Sequence, residues 1–248
     1  MAVRLYTVPA SHPSAAAERA LQLKGADYER IDLITSLHKP IQRVRFGGWS
    51  VPSAIFEDGT KVLGSRRIMR ALDERYPEPA LFPADDAARA HVERAEQWGE
   101  EVLQPLARRV AWAALRRAPH AMRSYLDGAK LPLPEGMAML GAPVVMRVAV
   151  RLNGASDENV RADLMHLDSH VQRADDWIEE GVLGGEQANA ADLQIGSSIR
   201  LMQTLADLAT RLDARPVGEL ARRWFPEYPG STPALSLPPP WLAAEVSA

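Results

Sequence analysis

Two periodicities run along this chain, and one gives way to the other near residue 77. At the start, Val3, Leu5 and Thr7 alternate with Arg4, Tyr6 and Val8, the period-two pattern of a short strand. Ser14 to Lys24 then carries Ala16, Ala20, Leu21 and Leu23, with Gly25 just beyond, which predicts a helix closed by a glycine. Tyr28 to Leu33 predicts a second strand. An irregular link follows, and Ala54–Phe56 and Val62–Leu63 then flank Asp58-Gly59 as a hairpin. Ser65 to Tyr76 places Ile68, Leu72 and Tyr76 on one helical face. The order β-α-β, link, β-β-α describes a small α/β unit over residues 1–76.

Residues 77–86 (PEPALFPADD) are proline-rich and read as a linker. Beyond them strand signals nearly stop, and residues 87–248 read as an all-helical domain with an irregular tail. Ala87 to Arg117 is a long helical pattern with Pro105 marking a kink or a join. Asp157 to Glu180 carries Val160, Leu164, Leu167, Val171, Ala174 and Ile178, one continuous apolar stripe. Asn189 to Leu212 is apolar on two sides, as expected of a helix central to its bundle. The proline-rich tail from Phe225 onward is expected to wrap the surface without regular structure.

Composition narrows the chemistry. A formal net charge of -3 carries no nucleic-acid or anionic-membrane footprint, and four Phe with five Tyr offer few stacking platforms. Cysteine is absent, which excludes disulfides, thiolate metal sites and catalysis by a protein thiol. The start MAVRLYTVPAS lacks the charged region and long apolar core of a signal peptide. Met137 to Val150 is apolar, yet too short to span a bilayer and interrupted by Pro143 and Arg147. A soluble, cytoplasmic protein is expected, with no nucleic-acid or membrane partner.

Three local features then stand out. VPASHPS (Val8–Ser14) lies at a strand-to-helix junction; Val51-Pro52 precedes the third strand; Gly64-Ser65 opens a helix. Asn189-Ala-Ala-Asp192 adds the pattern of a capping box. In this order, and over most of the chain, the sequence resembles the glutathione transferase family of the bacterial type with serine at the thiol-activating position. The resemblance implies an N-terminal thioredoxin-like domain followed by a C-terminal α-helical bundle, an α/β plus all-α chain that forms a homodimer. It implies a transferase that binds glutathione, or another low-molecular-weight thiol, and directs it at a hydrophobic electrophile, with no metal. Ser11 aligns with the family's catalytic serine and Ser14 reads as the N-cap. Val51-Pro52 aligns with a cis-proline that leaves backbone free to pair with the thiol's own peptide backbone. Ser65 aligns with the position that binds the γ-glutamyl carboxylate. Gly64 departs from the family, which usually has an acidic residue or Gln there, so the identity of the thiol stays open. Arg66 and Arg67 follow and would attract an anion.

The chemistry agrees with that alignment. A free thiol is mostly protonated at neutral pH, so a hydroxyl donor aimed at sulfur and the positive end of a helix both favour the reactive thiolate. Ser11 is equally a plain turn serine, Pro52 a trans proline at a strand start and Ser65 an N-cap. Trp98, Leu103, Arg108, Trp112 and Arg116 are candidates for the acceptor pocket, against core or surface roles. His166 and His170, four apart with Asp163 nearby, lack the metalloprotease glutamate and read as surface residues. Two further readings remain: a non-catalytic binding module that retains the fold, and a thiol-dependent isomerase or lyase.

Overall fold

The computed structural model describes residues 2–35, 37–131 and 135–242. In the first domain β1 (Val3–Thr7), β2 (Tyr28–Asp32), β3 (Ser53–Ile55) and β4 (Lys61–Leu63) form one sheet in the order β2, β1, β3, β4. β1 runs parallel to β2, and α1 (His12–Leu23) makes the crossover that a parallel pair requires. β3 lies antiparallel to both β1 and β4, joined to the latter through Gly59 at φ +83°.

The link expected to be irregular contains a helix, α2 (His38–Phe46), which ends at Gly47 with φ +78°. Its sequence HKPIQRVRF buries only His38 and Gln42, so it has no apolar stripe by which sequence periodicity would reveal it. α3 (Ser65–Arg75) closes the domain with Ile68, Met69 and Leu72 buried.

The proline-rich linker is not slack. Leu81 and Phe82 are buried in it; the Leu81 N–H donates to the Asp73 carboxylate at 2.7 Å and the Leu81 carbonyl accepts from the Ala190 N–H at 2.9 Å. Its backbone thus touches both domains.

The long helical pattern that follows divides into α4 (Asp86–Trp98), a five-residue π-helical turn (Gly99–Leu103) and α5 (Gln104–Arg117). Pro105 comes just after the π-helical turn, so what the proline marks is a change of winding in a run that stays helical throughout. The short α6 (Met122–Tyr125), α7 (Glu135–Leu152) and α8 (Asp157–Glu179) come next. α8 buries Val160, Leu164, Leu167, Val171 and Ala174, while Ile178 is half-buried.

α9 (Ala190–Met202) is the centre of the bundle: all of its residues are buried. It packs against α1 of the first domain and against α4, α5 and the later α11 (Pro216–Trp224). The pattern extending to Leu212 breaks after Met202, and a separate α10 (Ala206–Asp213) follows. The tail pairs with the chain at the break: the Thr232 carbonyl accepts from the Ala206 N–H at 3.2 Å and its N–H donates to the Thr204 carbonyl at 2.9 Å. The tail therefore does more than wrap the surface, and Leu237 within it is fully buried.

α9 begins with a full capping box. The Asn189 side chain accepts from the N–H groups of Ala191 and Asp192, and the Asp192 carboxylate accepts from the Asn189 N–H. Asn189→Ala is expected to lower global stability by about 1–2 kcal/mol, read as a reduced urea midpoint with an unchanged slope.

Candidate functional site

A cavity of about 410 Å³ lies between the domains. Its first-domain wall is built from the loop before α1, the Val51–Pro52 bend and the start of α3; its other wall is one face of α5. The Val51–Pro52 peptide is cis, and among the described residues neither the N–H nor the C=O of Val51 has a hydrogen-bond partner.

The loop Val8–Ser11 is held in place from both sides. Ala10 has a left-handed backbone at φ +54°, and its carbonyl accepts from the buried Tyr228 hydroxyl at 2.8 Å. The Ser11 N–H returns to the Val8 carbonyl at 3.2 Å. Ser11, not Ser14, is the N-cap of α1, which starts at His12, two residues earlier than Ser14. Pro13 in the first turn presets the backbone there, and the Ser11 side chain accepts from the Ser14 N–H at 3.4 Å.

The buried Ser14 hydroxyl also donates to Ser11 Oγ, at 2.8 Å. A serine oxygen carries one proton and two lone pairs, so two incoming donors leave the Ser11 proton free to be given away. That proton has no acceptor among the described residues, and Ser11 lines the cavity. The capping role and the donor role coexist in one hydroxyl.

Gly64 and Ser65 also border the cavity. Gly64 sits at φ +96°, ψ 141°, and nothing lies within 4 Å of where its Cβ would stand. Backbone conformation, rather than lack of room, demands glycine there. The Ser65 hydroxyl faces the helical domain, donating to Gln194 Oε1 at 2.9 Å, and Gln194 Nε2 donates to Gln104 Oε1 at 2.7 Å. Ser65 is left with its backbone N–H at the start of α3. Arg66 is not free to attract an anion: it is bonded to Glu96 at 3.1 Å and Glu100 at 3.2 Å. Arg67 is exposed.

The second wall sorts the acceptor candidates. Gln104, Arg108, Ala111, Trp112 and Leu115 fall on one face of α5 and line the cavity. Trp98 packs edge-on against Trp177 and His170 instead, with centroids at 5.2 and 5.7 Å. Leu103 is fully buried, and Arg116 is paired with Asp157 on the surface. Asp163, beside the His166/His170 pair, is held by Arg109 through two contacts of 2.6 Å.

Electrostatically the cleft favours anions. Lys39 and Arg108 line it with no carboxylate partner among the described residues, while Glu100 is neutralised by Arg66. Burial pushes the His12 imidazole well below its ordinary range, helped by the Arg108 charge and opposed by the Gln104 carbonyl. Burial, with Lys39 beside it, lowers His38 to about 4. Both are neutral at pH 7, so neither competes with the cations. Lys39, Gln194 and Tyr228 escape a sequence reading because an irregular link, a core helix and a tail carry no local sign of a shared cleft.

A thioredoxin-like domain joined to a helical bundle, with a cleft between them, is the class this structure defines. Residues 5–80 match the family described as the glutathione S-transferase N-terminal domain. A glutathione S-transferase from Rhodospirillum rubrum F11 superposes with a TM-score of 0.63 at 20% identity, over 94% of this chain and 97% of that one. A glutathione transferase homologue from sulfitobacter, solved with bound glutathione, gives 0.53 at 18%, over 90% and 91%. A maleylacetoacetate isomerase of Pseudomonas aeruginosa is 32% identical over 101 residues, a match spanning 36% of this chain and 44% of that relative. Residues 5–80 thus carry a glutathione S-transferase N-terminal domain, and the chain shares the two-domain fold of the solved transferases.

Gly64→Ala is expected to cost about 1–3 kcal/mol in chemical denaturation, although the added methyl meets no atom. An unchanged midpoint would show that the loop relaxes without cost.

Proposed function

We propose that the protein is a glutathione S-transferase-like enzyme that activates the thiol of bound glutathione, or a related low-molecular-weight thiol, for attack on a hydrophobic electrophile. The observation that carries this reading is Ser11: its oxygen is filled by two donors from Ser14, its proton is unclaimed, and it stands at the N-terminus of α1 inside the cleft. A thiolate placed there gains a hydrogen bond and the positive end of the helix, and both lower the thiol's pKa.

The other residues have parts that fit a peptide-like thiol. The unpaired Val51 backbone takes an extended peptide as an added strand would. The free Ser65 N–H at the start of α3 receives a carboxylate, and Lys39 on the same wall receives a second. In the reaction the thiol proton leaves to solvent and a sulfur–carbon bond forms. A leaving group then departs with its electron pair, or the adduct takes up a proton. Bound glutathione in the sulfitobacter homologue supports this choice of thiol.

The partial match to a maleylacetoacetate isomerase favours a second reading, in which the thiolate adds to a double bond and is expelled after rotation. The two differ in whether the product keeps the thiol.

Millimolar glutathione is expected to raise the melting temperature of the full chain by mass action. Ser11→Ala should raise the pKa of the bound thiol by about 1 unit or more, followed by thiolate ultraviolet absorbance, and slow conjugation by about 100-fold. No stabilisation by glutathione or by any other small thiol would overturn the proposal. Binding with an unchanged thiol pKa in Ser11→Ala would remove Ser11 from the chemistry.

A further inference from the structure

Four arginines project from α5, and the surroundings of three are closed. Arg109 is held by both oxygens of Asp163 at 2.6 Å, and Arg116 and Arg117 share Asp157. Arg108 alone among them has no hydrogen bond and no ion pair among the described residues, although it lines the cavity and is at most half-exposed. Its charge is felt at His12 across the cleft, and burial together with the neighbouring Arg109 depresses its own pKa.

An arginine taken partly out of water without a counter-ion is costly to keep. Among the described residues that line the cleft the one carboxylate, Glu100, is already bonded to Arg66. Around Arg108 the wall turns apolar, with Ala111, Trp112, Leu115 and Met122. The planar guanidinium fork matches a carboxylate in two parallel hydrogen bonds. Lys39 belongs to the wall where the thiol's peptide would lie, whereas Arg108 stands on the helical wall opposite.

Resting on the transferase reading, we infer that Arg108 anchors a carboxylate on the electrophile, so that the acceptor substrate is an anionic molecule with an apolar body. Trp112 and Leu115, one and two turns further along α5, cover that body while the carboxylate is held at the guanidinium. Anchoring fixes which carbon is presented to the sulfur above Ser11, and it selects against neutral compounds of the same shape.

A matched pair of aryl chlorides tests this with the full-length protein and glutathione: chlorodinitrobenzene, which is neutral, and chlorodinitrobenzoate, which carries a carboxylate. In both, sulfur bonds to the ring carbon and chloride leaves with the bonding pair. The ratio of kcat/KM, benzoate over benzene, is expected to fall by about 10- to 100-fold in Arg108→Met, mainly through KM, and to recover in part in Arg108→Lys. Arg116→Met, on the same helix but outside the cavity, should leave the ratio at the wild-type value. Calorimetry with unreactive dinitrobenzoate supplies a readout independent of turnover, and the same loss of affinity in Arg108→Met is expected there.

Turnover without a wild-type preference for the benzoate, or a ratio unmoved by Arg108→Met, overturns the assignment. So does an equal loss of glutathione affinity in that variant, which would place Arg108 on the thiol. If neither chloride is turned over but dinitrobenzoate binds and Arg108→Met abolishes it, the transferase reading fails and the carboxylate site stands.

Discussion

Helix α9 has no face toward solvent, and the rest of the structure is arranged to make that possible. Burying a whole helix requires that every polar group on it find a partner inside the protein. The first turn is closed by Asn189 and Asp192, with Gly184 giving a further N–H to Asp192 at 2.8 Å. Burial outweighs those donors and raises the Asp192 carboxyl to about 6. Arg200 donates to the Phe225 carbonyl, and the Ser197 and Ser198 hydroxyls return to the Gln194 carbonyl. Close approach is bought with glycine: a Cβ on Gly99 would stand 2.9 Å from Ile195, and one on Gly196 3.3 Å from Phe225.

The cleft inherits its geometry from that helix. α1, which presents Ser11, and α5, which presents Arg108, both pack on α9. The chain Ser65–Gln194–Gln104 then runs from the start of α3, through α9, to the first turn of α5. Two walls tied to one buried axis cannot drift apart without breaking buried hydrogen bonds. Tyr228 adds a tie from the tail, holding Ala10 in its left-handed conformation one residue before the serine. The spacing between the Ser11 hydroxyl and the Arg108 guanidinium is thus a property of the core rather than of either loop.

Charge is distributed by the same logic. Arginines that serve the scaffold are paired: Arg66 and Arg70 close on Glu96, which is fully buried, and Arg215 closes on Asp175. The two cations that line the cleft, Lys39 and Arg108, have no carboxylate partner among the described residues. Histidines there are held neutral by burial, so the field in the cavity comes from Lys39 and Arg108.

Local pattern was enough to read β1, β2, the Asp58-Gly59 hairpin, α3, the stripe of α8 and the capping box of α9, because each expresses its burial within a few residues of itself. α2 was hidden, since a helix that buries only His38 and Gln42 shows no stripe. The capping role was read for Ser14 and belongs to Ser11, with Ser14 already inside α1; Pro13 and two hydrogen bonds settle which one caps, and spacing alone does not show this. Among the five acceptor candidates, sequence ranked Arg108 with Arg116 and Trp98, because nothing local separates one helical arginine or tryptophan from another. Only the tertiary structure decides, by bringing Asp157 to Arg116, Trp177 to Trp98 and, among the described residues, no partner to Arg108. Element type follows from the periodicity of the chain itself; which side chains are left unpaired depends on what distant segments bring to them.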